Sequence, residues 1–320
     1  MAESTGHIIA ITGGVGGAKL SLGLADLLAD GQLDVLVNTG DDFGHMGLHI
    51  CPDVDTLLYT LAGRSNTKLG WGLEGESWNV MDALSELSGD TWFRLGDKDL
   101  ATHLWRTQAL ASGLNLAEVT TALARHLGVA AKVHPMTQDP VRTIVHSEEG
   151  DLPFQHYFVR RHCEPQVRGF FFEGIESARP NEAVIQLLSA GVVEAVIICP
   201  SNPFVSIDPV LQVPGMWRAL QACAAPVIAV SPIVAGHAIK GPAAKMMREL
   251  GVPATALAVA QYYGQRYPGL LDYFVIDDSD AILADSIRAL DINVAITPTI
   301  MRTRKDKQDL ARFVLQLVGQ

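Results

Sequence analysis

The sequence predicts an α/β protein: a Rossmann-like, doubly wound, mostly parallel sheet with an inserted, largely helical subdomain that carries a β-hairpin. Three observations predict it. Short apolar runs alternate with segments of helical periodicity near both ends of the chain, the pattern of buried parallel strands and crossover helices. The first run, HIIAIT, stops at a glycine cluster, GGVGG, before a helix begins. From about residue 70 to about residue 180 the alternation gives way to successive helices and then to a hairpin.

Taken in order, HIIAIT is the first strand, and AKLSLGLADLLAD, closed by Gly31, is the helix after the glycines. DVLVNT is the second strand, and DVDTLLYTLAG is a helix opened by Pro52, Asp53 and Asp55. The middle holds three helical segments, GESWNVMDALSEL, DKDLATHLWRTQALAS and NLAEVTTALARHLG. VRTIVHSEEGDLPFQHYFVRR follows as a hairpin with EEGD at its turn. The alternation then resumes with NEAVIQLLSAG and PGMWRALQAC as helices and AVIICP and PVIAVSP as strands. GPAAKMMREL and ATALAVAQYYG are helical, DYFVID and NVAITP are strands, and KDKQDLARFVLQLV is a terminal helix. The expected division is a nucleotide-binding core of 1–69 and 181–320, with 70–180 inserted over the C-terminal edge of the sheet to cover a cleft.

Composition narrows the function. With 320 residues and 48% hydrophobic side chains the chain can bury a large core. A net charge of −11 argues against a nucleic-acid surface, which needs a basic stripe. No apolar run reaches the roughly 18 residues of a membrane span, and MAESTGHIIAITGG lacks the layout of a signal peptide. A cytoplasmic location is expected, with Cys51, Cys163, Cys199 and Cys223 as free, mostly buried thiols.

Two stretches carry chemistry. GGVGGAK stands where a strand hands over to a helix, where glycines let backbone approach a phosphate and the helix presents free N–H groups. It lacks the GKS/T ending of a Walker loop, and its spacing misses GxGxxG because Lys19 stands at the third glycine position. A nucleotide other than a nicotinamide dinucleotide is expected, the alternative being a tight turn without ligand. NTGDDFGHMGLHICPDVDT gathers Asp41, Asp42, Asp53 and Asp55 with His45 and His49. Asp41 and Asp42 follow a strand end, where ligand sites of parallel sheets collect. Asp53 is read as serving the positive end of its helix, and Asp41, Asp42 and Asp55 as the functional carboxylates. Oxygen ligands of this kind suit Mg²⁺. The HxxxH spacing of His45 and His49 is broken by glycine, which disfavours zinc.

Six blocks in order, GGVGGAKL, NTGDD with PDVDTLLYTLAG, LGDKDLATHLWRT, PMTQDPVRT, PSNPFVSIDPVL and SPIVAGHAIKGPAAKMM, resemble the 2-phospho-L-lactate transferases of coenzyme F420 biosynthesis. The resemblance implies an Mg²⁺-dependent transfer from a GDP-linked hydroxyacid donor (lactyl-, enolpyruvyl- or phosphoglyceryl-type) to the ribityl hydroxyl of the deazaflavin FO, with release of GMP. It implies that Gly13, Gly14, Gly16 and Gly17 approach the donor phosphates, and that Asp55 contacts FO near the metal. It places Arg94 on FO, Ser201, Asn202 and Pro203 near guanosine, and Gly241, Pro242 and Lys245 on the nucleotide side. Residue by residue, plainer readings stand beside these: PSNP as a turn, Arg94 as a solvated charge, and Trp71 and Trp78 as packing. A homodimer is expected from the family. The rival readings are a nucleotide-sugar-binding regulator of the related gluconeogenesis-factor family and a nicotinamide-dependent dehydrogenase; the LGDKDLATH and PMTQDPVRT blocks favour the transferase.

Overall fold

The computed structural model describes residues 6–318. Seven strands form the main sheet: β1 His7–Thr12, β2 Leu33–Val37, β3 Lys132–Pro135, β4 Val193–Ile198, β5 Val227–Val230, β6 Tyr273–Ile276 and β7 Asn293–Ile296. Their order is β3-β2-β1-β4-β5-β6-β7, and every neighbouring pair runs parallel. This is the doubly wound Rossmann order with a seventh strand added at one edge.

The sequence explains why the central strands are buried on both faces. Side chains alternate across a strand, so Ile9 and Ile11 of β1 enter one core cluster while Ile8 and Ala10 enter the other. Both sets are apolar because helices cover both faces. Burying each isoleucine contributes about 1.5–3 kcal/mol relative to leaving it exposed.

The helices include α1 Gly14–Ala25, α2 Pro52–Leu61, α3 Asn79–Glu86, α4 Asp97–Ala111, α5 Leu116–Leu127, α6 Ala243–Glu249 and α7 Arg304–Gln316. α5 shows how local sequence sets an element. Asn115 accepts from the Glu118 amide and Glu118 returns the bond to the Asn115 amide, a capping box, and Gly128 ends the helix in a left-handed conformation at φ 75°.

The region 70–180 differs from the expected single insertion. β3 lies inside that span as the sheet's edge strand, and α5 packs Leu116, Val119 and Leu123 into the same cluster as β2. The chain therefore leaves the main sheet, returns to it at β3, and leaves again. The hairpin forms between Arg142–Ser147 and Gly150–Pro153, and Val167–Glu173 adds a third antiparallel strand on its other side. HYFVR, read as the end of the hairpin, is a short π-helical turn over His156–Arg160. Val145 and Phe172 of this small sheet, with Phe154 and Tyr157 just after its hairpin, share the main core. Among the described residues Ile50, Met81 and Leu95 form a separate small cluster that includes the buried side of α3. Among the described residues no helix is long and apolar enough to cross a membrane.

Strand order reverses between β1 and β4, and the crevice at their carboxyl ends is where such sheets place ligands. The glycine segment follows β1 and Pro200–Asn202 follows β4, so the two stretches meet there: the Gly13 amide donates to Ser201 Oγ at 3.2 Å.

Candidate active site

A cavity of about 640 Å³ opens over this crevice. At its floor GGVGG is the first turn of α1 rather than a loop preceding it. Gly14 sits at φ +68°, a conformation that favours glycine. A side chain at Gly16 would overlap the Pro200 carbonyl oxygen, and one at Gly17 would overlap Thr12 Oγ1. These two glycines bring α1 against β1 and the Pro200 turn. Gly13, Gly14 and Gly16 line the cavity, whereas Gly17 stands behind them as a packing residue. The helix has no cap from its own Gly13. Ser201 caps the Gly13 amide, and Asp53 Oδ1 accepts from the Gly14 amide at 2.7 Å. The next amides of this first turn, Val15 and Gly16, lie beyond any intrahelical partner and belong to residues that line the cavity.

The acidic stretch divides in two. Asp41 and Asp53 line the cavity. Burial, and then the charge of Asp53, push the Asp41 carboxyl well above the usual range, and its Oδ1 is buried with no hydrogen-bond partner. Burial likewise raises Asp53 to about 6, against the opposing bonds from Asn38 Nδ2 at 2.9 Å and from Gly14. Asp53 is thus more than a residue suited to a helix start: it ties α2 to α1. Asp42 turns away from the cavity, accepts from Cys51 Sγ at 3.1 Å, and lies 3.5 Å from His49 Nε2. The ligand atoms of Asp42, His49 and Cys51 fall within 4.8 Å of one another. Burial pushes the Cys51 thiol well above its ordinary value, so it donates to Asp42 as a neutral group.

Asp55 also lines the cavity, paired with Arg106. Both of its oxygens accept from the Arg106 guanidinium, Oδ2 at 3.0 Å from Nη1 and Oδ1 from Nη2. Arg106 is completely buried. Burial raises the Asp55 carboxyl, and the Arg106 guanidinium works against that rise. Around the pair, Tyr59 Oη donates to Asp99 Oδ1 at 2.7 Å and Arg106 Nη1 lies 3.1 Å from His103 Nδ1. Asp99, His103 and Tyr59 all reach the cavity wall.

Part of the cavity wall is aromatic. Trp71, Trp92, Phe93, Phe154 and Phe158 line it with Arg94. Trp78 lies behind this wall, with the Arg94 guanidinium 4.6 Å from its ring centre and Trp71 edge-on to it at 5.8 Å. Near α1, Lys19 and Lys240 add positive charge. Helical side chains lean toward the N-terminus, so Lys19 reaches back to donate to the Met301 carbonyl at 2.9 Å. Burial and then the neighbouring Lys240 and Lys307 lower its pKa.

The family model described as 2-phospho-L-lactate transferase CofD matches residues 8–307. The chain belongs to the 2-phospho-L-lactate transferase family. A relative named 2-phospho-L-lactate transferase, from Methanopyrus kandleri, is 38% identical over 316 residues, covering 98% of each chain. One named phosphoenolpyruvate transferase, from Kitasatospora aureofaciens, is 37% identical over 320 residues, again covering 98% of each. A structure of a upf0052 family member from Bacillus halodurans matches with a TM-score of 0.66 at 16% identity, over 97% of this chain and 98% of that one. That likeness shows the shared fold.

In this transferase family member the residues expected from sequence fall into three groups. Gly13, Gly14, Gly16, Asp41, Asp55, Arg94, Ser201, Asn202 and Gly241 line the cavity. Gly17, Asp42 and Pro203 stand behind it, Pro203 opening the short helical turn Pro203–Ile207 that Asn202 caps through the Phe204 amide at 3.0 Å. Lys245 lies outside the cavity: it binds Glu249 Oε1 at 2.6 Å and the Pro165 carbonyl at 3.1 Å, tying α6 to the segment after the hairpin. Asn38, Tyr59, Asp99, His103 and Arg106 went unnoticed in the sequence. The signal for three of them was present, since Asp99, His103 and Arg106 repeat at i, i+4 and i+7 along one face of α4.

Proposed function

We propose that this chain transfers a phosphate-linked three-carbon acid from a GDP-linked donor to the ribityl hydroxyl of FO, releasing GMP, as a step of coenzyme F420 biosynthesis. The observation that carries the proposal is a single cavity whose lining joins two unlike sets of residues. Helix amides, lysines and buried carboxylates suit a diphosphate; aromatic side chains with a guanidinium suit a flat heteroaromatic ring. The relatives' names support a lactyl or enolpyruvyl group on the donor.

The family resemblance implies Mg²⁺, and the residues fit such an ion. Burial raises the carboxyls of both Asp41 and Asp53, the charge of Asp53 raises Asp41 further, and no cationic side chain is paired to either among the described residues. Asp41, whose Oδ1 has no hydrogen-bond partner among the described residues, would hold the ion beside Asp53, while Asp42 and Asp55 meet Cys51 and Arg106. A bound Mg²⁺ would neutralise charge on the donor diphosphate.

Phosphoryl transfer depends mainly on positioning and electrostatics. The amides of Val15 and Gly16 face the diphosphate, and Lys19 and Lys240 offset its charge. Ser201 and Asn202, beside the glycine turn, would flank the nucleoside. Arg94, held on Trp78, and the aromatic wall fix the acceptor ring. Arg106 holds both oxygens of Asp55 at the cavity wall.

The test is ligand-induced stabilisation. GDP and FO with Mg²⁺ should together raise the melting temperature more than either alone, and a UDP-sugar should leave it unchanged. Stabilisation by a UDP-sugar with no response to FO would contradict the proposal and favour a nucleotide-sugar-binding regulator.

A further inference from the structure

The LGDKDLATHLWRT block carries more than a helix start. Asp99, His103 and Arg106 form a buried polar seam along α4, facing Asp55 and Tyr59 of α2. A seam of this kind is costly to bury unless each group has a partner. One polar atom in it has none: His103 Nε2 is buried, forms no hydrogen bond among the described residues, and belongs to a residue lining the cavity.

The direction of each bond can be worked out. A guanidinium has donors only, so Arg106 Nη1, 3.1 Å away, makes His103 Nδ1 the acceptor. The neutral ring then carries its proton on Nε2. That N–H lies 3.3 Å from Asp99 Oδ1 without the alignment of a hydrogen bond. His103 is therefore a donor still lacking its acceptor and cannot serve as a base at Nε2. Asp99 is a carboxylate held in place by the Tyr59 hydroxyl at 2.7 Å, with its backbone amide tied to Glu76 Oε1 at 2.9 Å. An alcohol placed between them would accept from His103 Nε2–H and point its own proton at Asp99.

We propose that Asp99 is the catalytic carboxylate that orients the acceptor's hydroxyl and takes its proton, with His103 and Tyr59 as its positioning residues. This rests on the transferase reading given above. In the step, the hydroxyl oxygen forms a bond to the phosphorus that bears the acid. The bond from that phosphorus to the oxygen bridging to GMP breaks, and its electron pair leaves with GMP. The hydroxyl proton passes to Asp99 and then to solvent. Asp55 is unsuited to this part because Arg106 occupies both of its oxygens. Burial disfavours charge on Asp99, but His103, the Tyr59 hydroxyl and Arg106 outweigh it and hold the carboxyl below its ordinary value. A carboxylate of that kind is a weak base. It suits a loose transition state, in which the hydroxyl needs orientation early and loses its proton late.

The experiment compares wild type, Asp99→Asn and Tyr59→Phe in steady-state transfer from a GDP-linked lactyl donor to FO, with GMP release followed across pH. Asp99→Asn should lower kcat by about 10²–10⁴-fold while the KM for FO changes less than threefold. Tyr59→Phe keeps the carboxylate but removes a bond that lowers its pKa. Its acidic limb of kcat should therefore move to higher pH. A kcat for Asp99→Asn within threefold of wild type, or a changed KM alone, would overturn the assignment. So would an unmoved acidic limb in Tyr59→Phe, which also decides the matter should Asp99→Asn fail to fold. Absence of transfer by the wild-type protein would instead refute the transferase reading on which the inference rests.

Discussion

The Arg106–Asp55 pair gives the sharpest stability prediction. Arg106 is completely buried and Asp55 nearly so, at 4% exposure. Replacing Arg106 by methionine keeps much of the packing volume and removes the guanidinium bonded to Asp55. Breaking a buried ion pair from one side costs about 3–5 kcal/mol, because the remaining charge stays desolvated. Removing both charges with apolar groups is close to neutral. Arg106→Met should therefore lose about 3–5 kcal/mol in urea unfolding at pH 7, and Arg106→Met combined with Asp55→Leu should recover most of it.

The pH dependence follows from Asp55. Its carboxyl is already raised by burial with Arg106 present, and losing the guanidinium raises it further. A carboxylate with a folded pKa above its unfolded value binds more protons when folded, so stability falls as pH rises through that window. The deficit of Arg106→Met should shrink as pH drops below the folded pKa of Asp55 and be largest at neutral pH. Loss of less than about 1 kcal/mol by the single variant, or no recovery in the double, would refute the claim that this pair is buried and mutually dependent.

Other outcomes follow from the geometry. Gly16→Ala should force α1 away from the Pro200 carbonyl, costing about 1–3 kcal/mol in unfolding experiments and weakening GDP binding by calorimetry. Arg94→Ala should raise the KM for FO about two- to fivefold, the value of a partly exposed cation–π contact, with kcat unchanged. Lys245→Ala should leave nucleotide affinity unchanged, because its ammonium is engaged with Glu249 and Pro165 outside the cavity. Asp34 is a buried carboxylate bonded to His134 and His7, each at 2.7 Å. Burial would raise it, but these two bonds outweigh burial and hold it below its ordinary value. Its contribution, on the order of 2 kcal/mol, is present above the unfolded carboxylate pKa and lost as pH falls through the folded one. Asp34→Asn should accordingly match wild type in strong acid and fall below it at neutral pH in thermal unfolding.

Much of the fold was legible because its strands are short, apolar and separated by helical periodicity. β1, β2, β4, β5, β6 and β7 lie where those runs stand. β3 escaped because KVHP is an edge strand whose burial pattern keeps only two of its four residues inside. FQHYFVR alternates in a strand-like way, yet bends into a π-helical turn to seat Tyr157 in the core. The site was legible at its floor, where Gly13, Gly14, Asp41 and Ser201 converge at the switch point as Rossmann topology requires. What the sequence hid was pairing. Asp55 meets Arg106 across 51 residues and two helices, and Asp53 reaches back 39 residues to the Gly14 amide. Spacing along one segment reveals a shared face, but not which side chain of a distant helix it will meet.

The most direct test of the central claim is product analysis. Purified protein, FO and Mg²⁺ are incubated with GMP linked through a second phosphate to lactate, to enolpyruvate or to glycerate, and the products are identified by mass spectrometry. The expected products are GMP together with FO bearing a new phosphodiester to the acid, from at least one donor. Free GMP with unmodified FO from every donor, or no turnover at all, would contradict it.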